Sequence, residues 1–329
     1  MIEIALFGAG RIGKIHAANI TRMRGQARLK YIVDVDRDAA VGLAAKYRAE
    51  VRTVDAALTD ESVRAVVIAS STDTHAELIQ KAAAAGKSIF CEKPVDLDVV
   101  RARACAHAIG RTGMVCLIGF QRRYDPTFAA LKARLDAGEI GDPEMLIITS
   151  RDPGAPPIDY IGRSGGIFKD MLIHDFDVFR WLLEDEAATI YATGSCLTDP
   201  AIGGAGDIDS TAVTIRTRRQ RLVQISTSRR AAYGYDQRFE VLGSKGMLQA
   251  GNLKPTEVYA HTAMAVSQDK PEHFFLERYA QAYANEMEHF FEAIDKDTPP
   301  RATINDGVKA LELADAATHS WREKRVIEL

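Results

Sequence analysis

The chain opens IEIALFGAGRIGK, an apolar run followed by Gly8, Gly10 and Gly13 in the spacing GxGxxG and then by an amphipathic stretch over 11–23. Between a strand and a helix this spacing leaves little choice of fold. Gly8 permits the tight turn, Gly10 lets a backbone approach a pyrophosphate, and Gly13 lets the helix pack on the strand. The helix N-terminus adds N–H groups and a partial positive charge, so Arg11 and Ile12 join the glycines in the expected phosphate cradle.

The pattern beyond the turn agrees with it. Short apolar runs IEIALF, LKYIVD, AVVIAS, SIFCE and MVCLIGF alternate with helical segments over 11–23, 37–47, 74–85 and 97–109. This βαβ rhythm predicts an α/β chain whose N-terminal Rossmann dinucleotide-binding domain, residues 1–120, is a doubly wound parallel sheet. After Phe120 a helix over 126–137 and the strand MLIITSR lead through a Pro/Gly loop to another helix. ATIYATGSCL, STAVTIRT, RLVQISTSRR, QRFEVLGSK and MLQAG then read as strands, predicting an α+β domain over 121–329 with a mainly antiparallel sheet. Helices over 274–294 and 305–324 close the chain. A cleft between two domains is the default place for a ligand.

Composition removes several partners. The 329 residues are enough for two domains, and 47% hydrophobic content supplies their cores. Lys and Arg number 42 against 45 Asp and Glu, and a net charge of −3 gives no general attraction to nucleic acid or anionic membranes. No apolar run approaches the ~20 residues that span a bilayer. The N-terminus enters a strand pattern without a charged leader, which predicts a soluble, unsecreted protein. Cys91, Cys105, Cys116 and Cys196 contain no CxxC pair and are expected to be reduced structural thiols of a cytoplasmic protein.

Three further strand ends carry candidate ligand residues. In YIVDVD, Asp34 lies about twenty residues beyond the glycine turn, where a carboxylate accepts from the adenosine ribose hydroxyls and repels a 2′-phosphate. NAD is therefore favoured over NADP, although Arg11 and Arg37 argue the other way, since a guanidinium pairs with such a phosphate. In VVIASSTDTHAEL, Ser70, Ser71, Thr72 and His75 follow a buried strand at the edge where open α/β sheets bind ligands. Asp73 or Thr74 can also cap the next helix there. SIFCEKPVDLD runs an apolar strand straight into Glu92, Lys93 and Pro94. Proline biases Lys93 toward an extended backbone at the lip of the sheet, facing nicotinamide and substrate. Such a lysine either takes part in proton transfer or stays charged and hydrogen-bonds a substrate oxygen.

The stretch KDMLIHDFD, residues 169–177, packs three carboxylates and a histidine among apolar side chains. Projected as one helix from Phe168, it sets Leu172, Phe176, Phe179 and Leu183 on a core face and Asp170, His174, Asp177 and Trp181 opposite. The i, i+4 relation brings Asp170 and His174 together. A zinc site needs more ligands than this stretch offers, so no metal is expected. A solvated helix face and an acid/base device remain. In the second reading His174 removes a hydroxyl proton and Asp170 orients it, while Asp175 and Asp177 support the structure.

GAGRIG, CEKP and GGIFKDMLIHDFD, in this order over nearly the whole chain, together resemble the Gfo/Idh/MocA family of two-domain, nicotinamide-dependent oxidoreductases. GFQRRYDP, ITSRDPGAPPIDYIGRSGGIFKD, SRRAAYGYDQRFEVLGSKG and YANEMEHFFEAI look like its inositol 2-dehydrogenase branch. The resemblance implies NAD as cofactor and oxidation of myo-inositol at C2. It also implies a second domain that binds substrate and whose large open sheet pairs subunits into dimers and tetramers. The C-terminal helix of this chain is expected to be able to pack back on the first domain. The family's catalytic lysine falls on Lys93, and its aspartate and histidine fall on Asp170 and His174. Arg122, Asp152 and Tyr233 or Tyr235 are implied as substrate contacts. Arg123, Arg151 and the tyrosines stand equally as contacts between domains or subunits, and Gln121 leaves the preferred polyol open. The same apparatus also suits scyllo-inositol, glucose or galactose, a redox-neutral reaction on a bound NAD, or a regulator that binds NAD without catalysis.

Overall fold

The structure, a computed structural model, describes residues 1–23 and 25–329. It divides into two compact units, Met1–Tyr124 with Gln281–Leu311, and Asp125–Ala280 with Glu312–Leu329.

The first unit is built on six parallel strands, β1 (Ile2–Phe7), β2 (Ala27–Val33), β3 (Glu50–Val51), β4 (Val63–Ile68), β5 (Ser88–Glu92) and β6 (Cys116–Gly119). Their order is β3-β2-β1-β4-β5-β6, which reverses direction between β1 and β4. Helices α1 (Arg11–Arg22), α2 (Arg37–Tyr47), α3 (Val54–Thr59), α4 (His75–Ala84) and α5 (Val99–Gly110) connect them. The strands are apolar almost throughout because a parallel sheet is covered on both faces; Ile4, Leu6, Val67 and Phe90 are fully buried. Local chemistry starts the helices: Asp36 accepts from the N–H groups of Asp38 and Ala39, and Asp98 from that of Val100. All five strand ends that carry candidate ligand residues point to one edge of this sheet.

The second unit holds a seven-stranded sheet. Its strands β7 (Pro143–Arg151), β8 (Ala187–Ser195), β9 (Ser210–Thr217), β10 (Leu222–Ser228), β11 (Asp236–Gly243) and β12 (Gly246–Ala250) are joined at one edge by a short C-terminal strand. Before that strand comes a separate exposed hairpin of β13 (Tyr259–His261) and β14 (Val266–Gln268); the edge strand is β15 (Ile327–Glu328). The order β12-β11-β7-β10-β9-β8-β15 is antiparallel at every joint except the parallel pair β7 and β10. Helices α6 (Pro126–Asp136), α7 (Ile158–Ile161), α8 (Ile167–Asp170), α9 (Ile173–Leu183), α10 (Pro200–Gly204) and α11 (Phe275–Arg278) belong to this unit. Alternate residues of the central strands are buried, as a sheet covered on one face requires. The other face is open and carries Ile147, Tyr191, Leu222, Leu242 and Met247 among polar side chains.

Two expectations change. The division at 120 lets only a C-terminal helix return to the first domain, whereas all of 281–311 belongs to the first unit. That segment carries nearly all of α12 (Ala280–Lys296) and the first turns of α13 (Ile304–Glu323). Met287, Phe290 and Phe291 of α12 join the core that holds Ile4, Leu6 and Phe90, so sequence distance gives way to burial of an apolar face. The helix expected to run unbroken from Phe168 is two helices, α8 and α9. The N–H of Leu172 reaches back five residues to the carbonyl of Ile167 at 3.1 Å, a wide turn that ends α8 before Leu172 starts α9. Among the described residues no helix is long and apolar enough to cross a membrane.

Candidate active site

The switch point of the first sheet is formed by the turn after β1 and the loop after β4, and the two press on each other. Gly8 has φ +110°, and a Cβ there would lie 2.4 Å from the carbonyl oxygen of Ala69. A Cβ on Gly13 would lie 2.0 Å from the carbonyl oxygen of Gly8. Gly10 instead faces open space, with nothing within 4 Å of its Cβ position. It starts α1 without a side-chain cap, and no acidic residue stands in the first turn. Such a helix start is suited to a pyrophosphate, which needs backbone approach and positive dipole without a competing carboxylate. Arg11 is exposed and Ile12 half-buried in the same turn.

Asp34 closes this cradle. Its Oδ2 accepts from the N–H of Ala9 and its Oδ1 from the N–H of Asp36 at 2.8 Å, so the carboxylate is pinned to the glycine turn. Each oxygen of a carboxylate accepts more than one hydrogen bond, which leaves capacity for the two ribose hydroxyls. Arg37 is exposed at the start of α2. These residues fit a dinucleotide with an unphosphorylated ribose.

The loop after β4 differs from the sequence reading in two details. Thr74 begins α4 but does not cap it with its side chain; its hydroxyl donates to the carbonyl of Ser71 and meets the Ser70 hydroxyl at 2.7 Å. Ser71 is exposed and Thr72 half-buried. His75 was expected at the cofactor, yet it is 1% exposed, with Nδ1 2.8 Å from the carbonyl of Pro94 and Nε2 3.1 Å from that of Ser70. A neutral imidazole donates from one nitrogen only, so His75 hydrogen-bonds one of these two carbonyls and lies against the other, between the loop after β4 and the segment after β5.

At the end of β5, Glu92 sits 2.7 Å from Nε2 of His16, a fully buried side chain of α1. His16 is edge-on to Phe90 at 4.8 Å, and a Cβ on Gly119 would lie 2.9 Å from the other Glu92 oxygen. Glu92 is thus held rigidly at the sheet edge by a partner that sequence spacing does not suggest. Lys93 follows, half-buried, at a peptide that is cis to Pro94. After β6, Gln121 and Arg122 are buried, Arg122 to 2% exposure. The sequence alone leaves Arg123 open as a contact between domains or subunits. It donates to the carbonyl of Arg301 and lies 3.1 Å from Asp306, all within the first unit.

In the second unit one edge of the mixed sheet gathers the remaining candidates. Asp152 follows β7, its N–H donating to Ser228 at the end of the parallel β10. Arg151 pairs in register with Asp236, the first residue of β11. Tyr233, 40% exposed, donates to Asp236 at 2.6 Å and accepts from Arg151 at 3.0 Å. Burial and the bond to Asp236 hold its phenol above its ordinary pKa despite Arg151. With its one O–H committed, Tyr233 offers a substrate an acceptor. Burial opposes ionisation of Asp236, but hydrogen bonds from Arg238, Tyr233 and Asn252 outweigh it and lower its pKa. Tyr235 is 5% exposed and edge-on to Tyr279 at 5.8 Å.

Asp170 ends the single turn of α8. Its Oδ1 accepts from the Tyr160 hydroxyl at 2.9 Å and its Oδ2 from Arg229 at 3.1 Å. His174 is the second residue of α9 and 9% exposed. Residues 173–179 of α9 are all buried, which removes the reading of a solvated face. Asp175 is fully buried and accepts from Gln237, which in turn accepts from Ser150 at 2.9 Å. Asp177 is also fully buried. Arg229, Tyr160 and His16 were not singled out in the sequence. Among the described residues no group of three or more His, Cys, Asp or Glu is placed to hold a metal.

A doubly wound sheet with this glycine turn and the carboxylate pinned beneath it, in a chain that continues into a second α+β unit, is the frame of a dinucleotide-dependent two-domain oxidoreductase. Residues 2–120 match the family described as oxidoreductase family, NAD-binding Rossmann fold, and residues 132–329 match its C-terminal alpha/beta domain. The chain belongs to the Gfo/Idh/MocA oxidoreductase family, and its cofactor is NAD. It is 49% identical over 328 residues to inositol 2-dehydrogenase of Rhizobium meliloti (strain 1021), covering 100% of this chain and 99% of that protein. Its structure is similar to that of a myo-inositol dehydrogenase from Corynebacterium glutamicum ATCC 13032, with TM-score 0.96, 42% identity, and 100% and 99% of the two chains covered. It is also similar to the myo-inositol dehydrogenase of Lactobacillus casei in complex with NAD(H) and myo-inositol, with TM-score 0.89, 26% identity, and 100% and 97% covered.

Proposed function

We propose that this chain oxidises myo-inositol at C2 to the 2-keto product, scyllo-inosose, with NAD as acceptor. One observation carries the reading: a glycine cradle with a pinned ribose carboxylate occurs in a chain that is alike over its full length to inositol dehydrogenases. When bound, NAD accepts the hydride from C2. His174 takes the proton of the C2 hydroxyl as general base, Asp170 orients substrate and imidazole, and Lys93 hydrogen-bonds the oxygen that develops negative charge. Arg122, Asp152 and Tyr233 present fixed donors and acceptors to the other hydroxyls, the kind of site that rejects analogues leaving a buried partner unpaired. The four free cysteines, three of them buried, suit a reducing cytoplasm. The open face of the seven-stranded sheet, with Ile147, Leu222, Leu242 and Met247 exposed, suits pairing with a second copy, and we place the enzyme as a tetramer.

A steady-state panel of myo-inositol, scyllo-inositol, glucose and galactose, each with NAD and with NADP, tests the reading through NADH formation. The highest kcat/KM is expected for myo-inositol with NAD. A higher value for scyllo-inositol or an aldose would reassign the substrate, and no reduction with any polyol would remove the dehydrogenase. Light scattering of the purified protein is expected to give the mass of four chains; a monomeric mass would remove the sheet-face pairing.

A further inference from the structure

Arg229 follows β10 and is among the largest fully buried side chains of the protein, at 1% exposure. Burying a guanidinium carries a large desolvation penalty, and a buried ion pair does little for stability compared with packed apolar groups. The local hydrogen bonds do not offset that penalty well. Nη1 donates to Oδ2 of Asp170 at 3.1 Å, Nη2 lies 3.8 Å from Oδ2 of Asp207, and Nε and Nη2 have no hydrogen-bond partner among the described residues. A buried charge whose single side-chain hydrogen bond goes to Asp170, with Asp207 only at ion-pair distance, points to a role in function.

The surrounding geometry says which role. Asp207 accepts from the N–H of Ile167, the first residue of α8, at 3.1 Å. It also packs against Gly166, where φ is +85° and a Cβ would lie 3.1 Å from its Oδ1. Arg229 grips Asp170, the last residue of α8, from the other end. A single helical turn is too short to hold itself. This one is anchored at its first residue through Asp207 and at its last through Arg229, with Tyr160 fixing the second oxygen of Asp170. We propose that Arg229 is the positioning residue that sets the plane and location of the Asp170 carboxylate, and through it the alignment of the substrate hydroxyl with His174. This rests on the assignment of Asp170 to the substrate made above.

The test is a double-mutant cycle on the full-length enzyme, with NAD saturating and myo-inositol varied, using D170N, R229Q, R229K and the D170N/R229Q pair. R229Q is expected to lower kcat/KM about 10- to 100-fold through misplacement of a catalytic group. R229K recovers part of the loss, and the NAD-induced rise in melting temperature is kept in each variant. If Arg229 acts only through Asp170, the pair is no worse than D170N alone, a non-additivity that a merely structural residue would not produce. Losses that multiply in the pair, or an R229Q enzyme of native kcat/KM beside an impaired D170N, overturn the role of Arg229. A D170N enzyme as active as the native one overturns the assignment of Asp170 and this proposal with it. Should R229Q not fold, R229K and Tyr160→Phe replace it in the same cycle. Each is expected to lower kcat/KM in the native background and to have no effect in D170N, and an equal effect in both backgrounds overturns the proposal.

Discussion

Replacing His174 by alanine is expected to lower kcat with myo-inositol by a factor on the order of 10² to 10⁴, the range that loss of a positioned general base produces. That corresponds to about 3 to 5 kcal/mol of transition-state stabilisation. NAD affinity should fall only modestly, because the glycine turn, Asp34 and the loop after β4 are left intact by the substitution. The side chain is 9% exposed, so truncation also removes packing. His174→Gln retains most of the volume without an imidazole, and the same loss of kcat in a variant of native melting temperature isolates the proton transfer from the fold. A His174→Ala enzyme turning over within about threefold of native would take His174 out of the mechanism, since a general base contributes far more.

The first unit was legible in the sequence for a physical reason. Parallel strands are buried on both faces and read as unbroken apolar runs, and each turn residue at their carboxyl ends answers to a local demand. Gly8 and Gly13 are required by contacts within their own turn and the adjacent loop, so their spacing alone announces them. The second unit was legible as strands but not as a site. A helical projection assumes an unbroken advance per residue, and the wide turn at Leu172 resets that advance between Asp170 and His174. Both residues were nevertheless singled out, because charge among apolar residues is itself a signal. Asp175 shows the limit of that signal: periodicity cannot separate a solvated carboxylate from one buried in the core against Gln237. Arg229 lies 59 residues from Asp170, and Glu92 lies 76 residues from His16. Pairings at such distances leave no spacing to read, and only the folded sheet edges bring them together. The same holds for 281–311, whose apolar helix face states that it is buried but not in which core.

The three glycines of the turn should separate by experiment, although the motif treats them alike. Gly13→Ala places a methyl 2.0 Å from the carbonyl oxygen of Gly8, deep in the turn, and no flexible side chain is there to yield. The backbone itself must move, and overpacking of this kind costs about 1 to 3 kcal/mol, occasionally more. Because the displaced atoms form the cradle, the variant is expected to lose both melting temperature and the further rise that NAD produces. Gly10→Ala meets no atom within 4 Å, and its φ of −70° and ψ of −165° are open to any residue. Its stability without cofactor is expected to stay within about 1 kcal/mol of native, the scale of a helix-capping change. Yet the methyl projects into the space where a pyrophosphate would approach the backbone, so NAD affinity should fall as sharply as in Gly13→Ala. The measurement is the melting temperature of each variant with and without NAD, since a ligand at about 100 times its Kd raises stability by about 2.7 kcal/mol and a non-binding variant shows none of it. A Gly10→Ala protein that keeps the full NAD-induced shift would mean that the pyrophosphate does not come close to this backbone. A Gly13→Ala protein of native melting temperature would mean that the turn relaxes where the 2.0 Å approach says that it cannot.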